Sequence, residues 1–171
     1  TFAGGRVAGK FSSKMLVLFY NVVAATYFLI ISDFDLSNLT SKFIFLSIGA
    51  GVSHAFGLSL VSYALAKGRS GVIAPTSTVF EICVPVLAAT VFAKALGFYS
   101  YIGILILISS IFLLRKADNE SHETSVLKDL IYGLGAGTGF GLSITFLSFI
   151  ANEAKNNSLV IMQLASIVFL T

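Results

Sequence analysis

Two ionisable side chains in apolar surroundings are the residues best placed for chemistry in this chain. Glu81 and His54 each lie near the middle of a long apolar segment, and a turn at Gly68 and Arg69 separates the two segments. His54 lies about 14 residues before that turn and Glu81 about 12 after it. With a rise of about 1.5 Å per residue, antiparallel helices would hold them within about 3 Å of the same depth. We therefore expect the two side chains to lie side by side.

The chemistry expected of this pair depends on a membrane around it. A charge at the centre of a membrane helix costs at least about 2.5–3.5 kcal/mol and is by default a functional candidate. In one interpretation Glu81 and His54 form a proton-coupling or substrate-binding pair. In the other, a neutral Glu81 is hydrogen-bonded for helix packing and His54 is an ordinary polar residue facing a cavity. The sequence leaves both interpretations open.

A proline follows the carboxylate at helical spacing. Pro85 lies four residues after Glu81, and it has no N–H to donate to the carbonyl of Glu81. A kink here would expose that carbonyl beside the Glu81 side chain, as at the broken helices of transporter sites. The alternative is a packing kink that binds no ligand.

Alternating glycines mark the segment 133–141. They do not form a nucleotide-binding motif, because no G-x-G-x-x-G pattern and no P-loop lysine is present. At helical spacing they form two ridges of small residues, which permit close helix approach in lipid. A wall of a substrate cavity is the alternative. The packing candidates are Gly49, Ser53, Gly57, Gly133, Gly137 and Gly141, and the second ridge of the segment is Gly135 and Gly139.

Several uncharged polar residues lie inside or near the apolar segments. Each is a candidate for lining a pore, although each could simply bond a neighbouring helix. They are Tyr20, Asn21, Thr76, Ser77 and Gln163. The single cysteine, Cys83, excludes a disulfide framework and a multi-cysteine metal site. No H-E-x-x-H motif and no Ser/His/Asp set is present, so we predict no enzyme activity, no cofactor and no metal.

The elements that position these residues are apolar segments of membrane-spanning length. Apolar residues make up 56% of the 171 residues and charged residues only 11%, too few for a soluble surface. Glu81 is the only charged residue within these segments. A bilayer crossing needs about 20 residues, and lipid requires helices rather than open strands. We predict an all-α, polytopic transmembrane helix bundle with spans 15–31, 43–66, 71–93, 97–114, 130–150 and 158–171.

The connections suggest two structural halves. The longest and most polar connection, 115–129, is expected to be an extramembrane linker. A shift of 143 residues superposes Leu16 on Leu159 and Val17 on Val160, so the sixth span would begin to repeat the first. Five helices per repeat would invert the second copy, as in many secondary transporters. The chain begins without Met and ends inside an apolar run, and we expect it to be a fragment.

A known family has a similar pattern. The stretch 63–89 reads YALAKGRSGVIAPTSTVFEICVPVLAA, and 103–109 reads GILILIS. A Tyr-Ala-Leu at a helix end, a short turn, a helix with a mid-span proline and a glycine-containing fifth helix resemble the EamA-type half of the drug/metabolite transporter superfamily. The resemblance implies a ten-helix inverted-repeat transporter, of which this chain lacks helix 1 and helices 8–10. Residues 1–114 would complete the first repeat, 115–129 would be the linker and 130–171 would start the second.

The function that follows from this resemblance is transport. A secondary transporter would move small metabolites, with possible proton coupling, across what we expect to be a prokaryotic cytoplasmic membrane. The alternative is a non-transporting membrane scaffold or helix-packing subunit. The net charge of +3 is too small to indicate a nucleic-acid partner. Positive charges and the family topology predict opposite orientations in the bilayer, and oligomeric state stays open.

Overall fold

The computed structural model describes residues 13–32, 39–66, 70–92, 97, 101–103, 105–106, 109 and 123–171. Within these residues the chain forms five long α-helices and no strand. They are α1 (Ser13–Ile31), α2 (Ser41–Ala66), α3 (Ser70–Phe92), α4 (Glu123–Ser148) and α5 (Lys155–Leu170). A short 3₁₀ helix, Asn152–Ala154, leads into α5. The all-α prediction is thus confirmed for the described part of the chain.

Four of these helices are long and apolar enough to cross a membrane. Their spanning segments are Lys14–Ile31, Ser41–Ala64, Ile73–Phe92 and Leu127–Ser148, which agree with predicted spans 15–31, 43–66, 71–93 and 130–150. The predicted span 158–171 is helical, but α5 has 16 residues and is shorter than the roughly 20 that a crossing needs. Most of the predicted span 97–114 lies outside the described residues. The ten-helix inverted repeat is therefore not confirmed.

Helix α4 begins earlier than expected. It starts at Glu123, so the last seven residues of the predicted linker 115–129 are helical, while 115–122 lie outside the described residues. A helix satisfies its own backbone hydrogen bonds, so it can continue beyond the hydrocarbon with polar side chains. Polarity alone therefore misplaced the start of this helix.

Helices α3 and α4 run parallel and in close contact. Gly133 lies against Thr76, and two turns later Gly141 lies against Val84, in the same order along both helices. At the ends of the two helices, the rings of Phe92 and Phe149 are 5.9 Å apart. Because α3 and α4 are parallel, the end of α3 and the start of α4 lie at opposite ends of the bundle.

Helices α2 and α4 are equally close but antiparallel. Gly135 of α4 lies against Leu60, and Phe146, further along α4, lies against Gly49, earlier in α2. Helix α4 therefore packs against both α2 and α3, while α2 and α3 touch each other only slightly.

Helices α1 and α5 complete the bundle on the other side of α2. Val17 of α1, Ala55 of α2 and Leu170 of α5 form a buried cluster, against which Leu18 and Leu58 pack. The Lys14 ammonium group donates a hydrogen bond of 3.5 Å to the Thr171 carbonyl, so α1 and α5 are antiparallel. This three-helix contact is the apolar core of the described bundle.

The outward faces of the helices are apolar as well. Ile30, Phe45, Val91 and Val168 have exposed fractions of 74–79% and lie on four different helices. A soluble bundle would place charged residues on such faces. The exposed apolar surface and the spanning lengths together identify a multi-pass integral membrane protein.

Candidate functional site

Three glycines of α4 face the backbone of α3. A Cβ at Gly133 would lie 2.7 Å from Thr76 Cβ, and one at Gly141 would lie 2.6 Å from Val84 Cβ. The third, Gly137, lies between them against the Ser77 carbonyl. Any larger residue at these positions would force the helices apart. Spacing of four residues puts all three glycines on one face of α4.

Two further glycines of α4 face α2. A Cβ at Gly139 would lie 2.7 Å from the Ser53 carbonyl oxygen and 2.9 Å from the Gly57 nitrogen, so the two backbones meet here. A Cβ at Gly135 would lie 2.9 Å from the side chain of Leu60. The alternating glycines thus serve two neighbouring helices, one on each side of α4.

The predicted ridge on α2 contacts α4 closely at one position and more loosely at another. A Cβ at Gly57 would lie 2.8 Å from the Ala136 carbonyl oxygen, and the Ser53 carbonyl lies against Gly139. At Gly49 a Cβ would meet only the ring of Phe146, at 3.4–3.6 Å, which is ordinary van der Waals contact. The tightest part of the seam is therefore around Gly57.

A third close contact, between α2 and α5, was not predicted from the sequence. Gly51 lies against the Met162 backbone, and a Cβ there would be 2.8 Å from Ala165 Cβ. The Ser166 hydroxyl donates a hydrogen bond of 2.7 Å to the Gly51 carbonyl. The signal was present as Gly49-Ala50-Gly51, where alternating small residues serve two faces just as they do in α4.

His54 lies between two aromatic rings. Its ring centroid is 6.3 Å from that of Tyr20 on α1 and 5.5 Å from that of Phe140 on α4. Its Nε2 atom is buried and has no hydrogen-bond partner among the described residues. The contacts described for the imidazole are thus with these two aromatic rings.

Glu81 occupies the middle of the span Ile73–Phe92 on α3. Its side chain is partly exposed and makes no hydrogen bond or ion pair with any described residue. The expected contact of Glu81 with His54 is therefore not observed among the described residues. Both residues lie at the level of Phe140 and Gly141, but α4 packs against both of their helices and His54 contacts α4 instead.

The carbonyl that Pro85 leaves without a helical donor is covered. Helix α3 continues from Ser70 to Phe92 through Pro85, and a Cβ at Gly141 would lie 3.1 Å from the Glu81 carbonyl oxygen. The same Cβ position would lie equally close to the Phe80 carbonyl oxygen. The structure shows this carbonyl packed against α4 rather than open to a cavity.

The predicted pore residues are dispersed. Thr76 is buried against α4, and the Ser77 hydroxyl donates to the Ala74 carbonyl at 2.9 Å. Asn21 on α1 is fully buried, and its Nδ2 donates to the Val17 carbonyl at 2.7 Å.

Two more members of the set lie elsewhere. Gln163 on α5 is buried with Oε1 unpartnered, as is Oδ1 of Asn21, whereas Tyr20 is 52% exposed. The described part of the chain does not bring these residues to one cavity.

The grooves found on the described bundle are apolar. One of about 320 Å³ lies between α2 and α4, lined by Val52, Phe56 and Leu142 together with Ser53, Gly135 and Gly139 of the predicted ridges. Another of about 430 Å³ lies between α2 and α5. Among the residues that the structure describes, no three His, Cys, Asp or Glu side chains come together as metal ligands would. The described helices are held in close backbone contact, and Glu81 has no partner among the described residues.

Comparison with known proteins corrects the family suggested by the sequence pattern. Residues 69–171, more than half of the chain, match the family described as Rnf-Nqr subunit, membrane protein. No curated protein and no solved structure matches the chain. The resemblance to EamA-type transporters is wrong, because it rested on apolar residues with scattered proline and glycine, which lipid favours in many membrane helices. The chain is a multi-pass integral membrane protein, and it belongs to the Rnf-Nqr subunit family.

Proposed function

We propose that the chain is a helix-packing subunit of a multi-subunit membrane complex. The observation that carries this proposal is the pair of glycine ridges on α4, which hold α2 and α3 in backbone contact. Such seams make a rigid unit without a ligand. The family description, which names a subunit, supports an assembly of several chains.

The surface of the bundle also supports this function. Large apolar side chains cover the outside of every spanning helix, including Phe19, Phe45 and Leu87 at 63–75% exposure. Apolar faces of this kind accept either lipid or another membrane helix. The two grooves described are likewise apolar, which fits a packing role.

Native purification tests the proposal. The full-length protein, tagged and extracted from its own membrane in mild detergent, should elute with at least one other membrane protein in a fixed ratio. Native mass measurement should give that ratio as a whole number. An unrelated multi-pass protein with the same tag is the control. Recovery of a single chain with detergent alone, under conditions that keep the protein folded, would contradict the proposal.

A further inference from the structure

The position of Glu81 in the membrane requires an explanation. It is the ninth residue of the described span Ile73–Phe92, on a helix with no other charged residue. Its side chain is partly exposed at the edge of the seam between α3 and α4, where Phe80 and Val84 fill the contact with α4. A carboxylate at this depth is costly unless a partner compensates it.

The described part of the chain offers no such partner. Glu81 makes no hydrogen bond or ion pair there, and His54 packs between aromatic rings on the far side of α4. The basic residues of the other described spans lie at their first or second position, namely Lys14, Lys42 and Lys128. Because none of these lysines lies at mid-span, a second copy of these helices would not supply a positive charge at this depth either.

The surroundings of Glu81 leave room for a helix. The residues at helical spacing on its face of α3 are small or compact, namely Ala74, Thr78, Pro85 and Ala88. Small residues let another membrane helix approach closely, whereas they offer little to a lipid chain. Close approach also shortens the reach that a basic side chain would need.

We propose that Glu81 is a docking contact for a membrane helix of a different subunit, which carries a lysine or arginine at mid-membrane depth. Opposite charges that meet in lipid select their partner, because either one alone is penalised there. The inference deepens the proposed function and rests on it. It assigns α3, on the face of Ala74, Glu81 and Ala88, as the side on which the partner lies.

Substitution in the natively purified complex tests the charge. Glu81→Gln keeps the shape and removes the charge, and Glu81→Leu also removes hydrogen bonding. We expect the amount of co-purified partner to fall at least about tenfold with Glu81→Leu and less with Glu81→Gln. Ile82→Gln, at the same depth on a neighbouring face, is the control and should retain the partner. Equal recovery from Glu81→Leu and wild type would overturn the inference and leave the proposed function intact. Absence of any complex from the wild type would overturn both.

Cross-linking tests the geometry even if Glu81→Leu fails to fold. Thr78 is exposed on the Glu81 face, and Cys83→Ser removes the only native thiol. A benzophenone maleimide on Thr78→Cys should cross-link a peptide of another subunit that contains a mid-span lysine or arginine. The same probe on Ile131→Cys, on α4, should not capture that peptide. Capture of lipid only, of a second copy, or of a helix from this same polypeptide would overturn the inference.

Discussion

The contact between α2 and α4 predicts opposite effects for two similar substitutions. At Gly139, an added methyl group would lie 2.7 Å from the Ser53 carbonyl oxygen and 3.0 Å from Gly57 Cα. Both obstacles are backbone atoms, which cannot rotate away. At Gly49, the same methyl group would lie 3.4–3.6 Å from the ring of Phe146 and would fit.

The magnitude follows from two terms. Replacing glycine by alanine inside a helix gains about 0.8–1.0 kcal/mol of intrinsic propensity at either position. At Gly139, restoring a contact from 2.7 Å to 3.4 Å requires the helices to separate by about 0.7 Å. A gap of that size forfeits a quarter to a half of each dispersion contact along the seam, and overpacking typically costs about 1–3 kcal/mol. We expect Gly139→Ala to lower the free energy of unfolding by up to about 2 kcal/mol and Gly49→Ala to raise it by about 0.5–1 kcal/mol.

The assay is reversible unfolding of the full-length protein from mixed micelles by sodium dodecyl sulfate. Because the chain has no tryptophan, helix content should be followed by far-ultraviolet circular dichroism. The difference between the two variants isolates the steric term, since the propensity term is common to both. If Gly139→Ala is as stable as Gly49→Ala, backbone contact between α2 and α4 is not what holds these helices together.

Two other substitutions test polar groups in the bundle. Ser166→Ala removes the hydrogen bond to the Gly51 carbonyl and should lower the free energy of unfolding by about 0.5–1.5 kcal/mol in the same assay. Ser148→Ala, which removes only a partly buried bond to the Thr145 carbonyl within α4, is its control, and equal effects would show that the bond to Gly51 contributes nothing. His54→Phe keeps a ring between its aromatic neighbours and removes a buried, unpartnered nitrogen, so stability should be unchanged or higher by up to about 1 kcal/mol. A loss of more than about 1 kcal/mol would show that Nε2 has a partner that contributes to stability.

The expected pair of His54 and Glu81 shows where reasoning from the sequence reaches its limit. Their depths agree with the calculation from the turn, since both lie at the level of Phe140 and Gly141. The distance between the two side chains does not agree, because the prediction required the consecutive helices α2 and α3 to pack together. Because of its glycines, α4 can approach α2 and α3 more closely than those two helices approach each other. Both α2 and α3 therefore pack against α4.

The family shows a second limit. Proline at mid-span and glycine in the following segment are compatible with many membrane folds, since lipid constrains composition more than it constrains topology. Comparison over residues 69–171 uses the order of many residues and distinguishes families that share this composition. The interpretation of Glu81 as a functional carboxylate rests on its own position and stays a prediction.

The sequence by itself determined that this protein lies in lipid and how far its four described spans extend. Lipid acts on each segment independently, so a run of about 20 apolar residues can be interpreted without knowledge of the rest of the chain. The spacing of glycines likewise showed that α4 has two smooth faces. Only the tertiary structure decided which helices occupy those faces, that α5 packs against Gly51, and that Glu81 has no partner among the described residues. These outcomes depend on the fit between surfaces far apart in the chain, and close packing makes that fit a property of the assembled bundle rather than of any one segment.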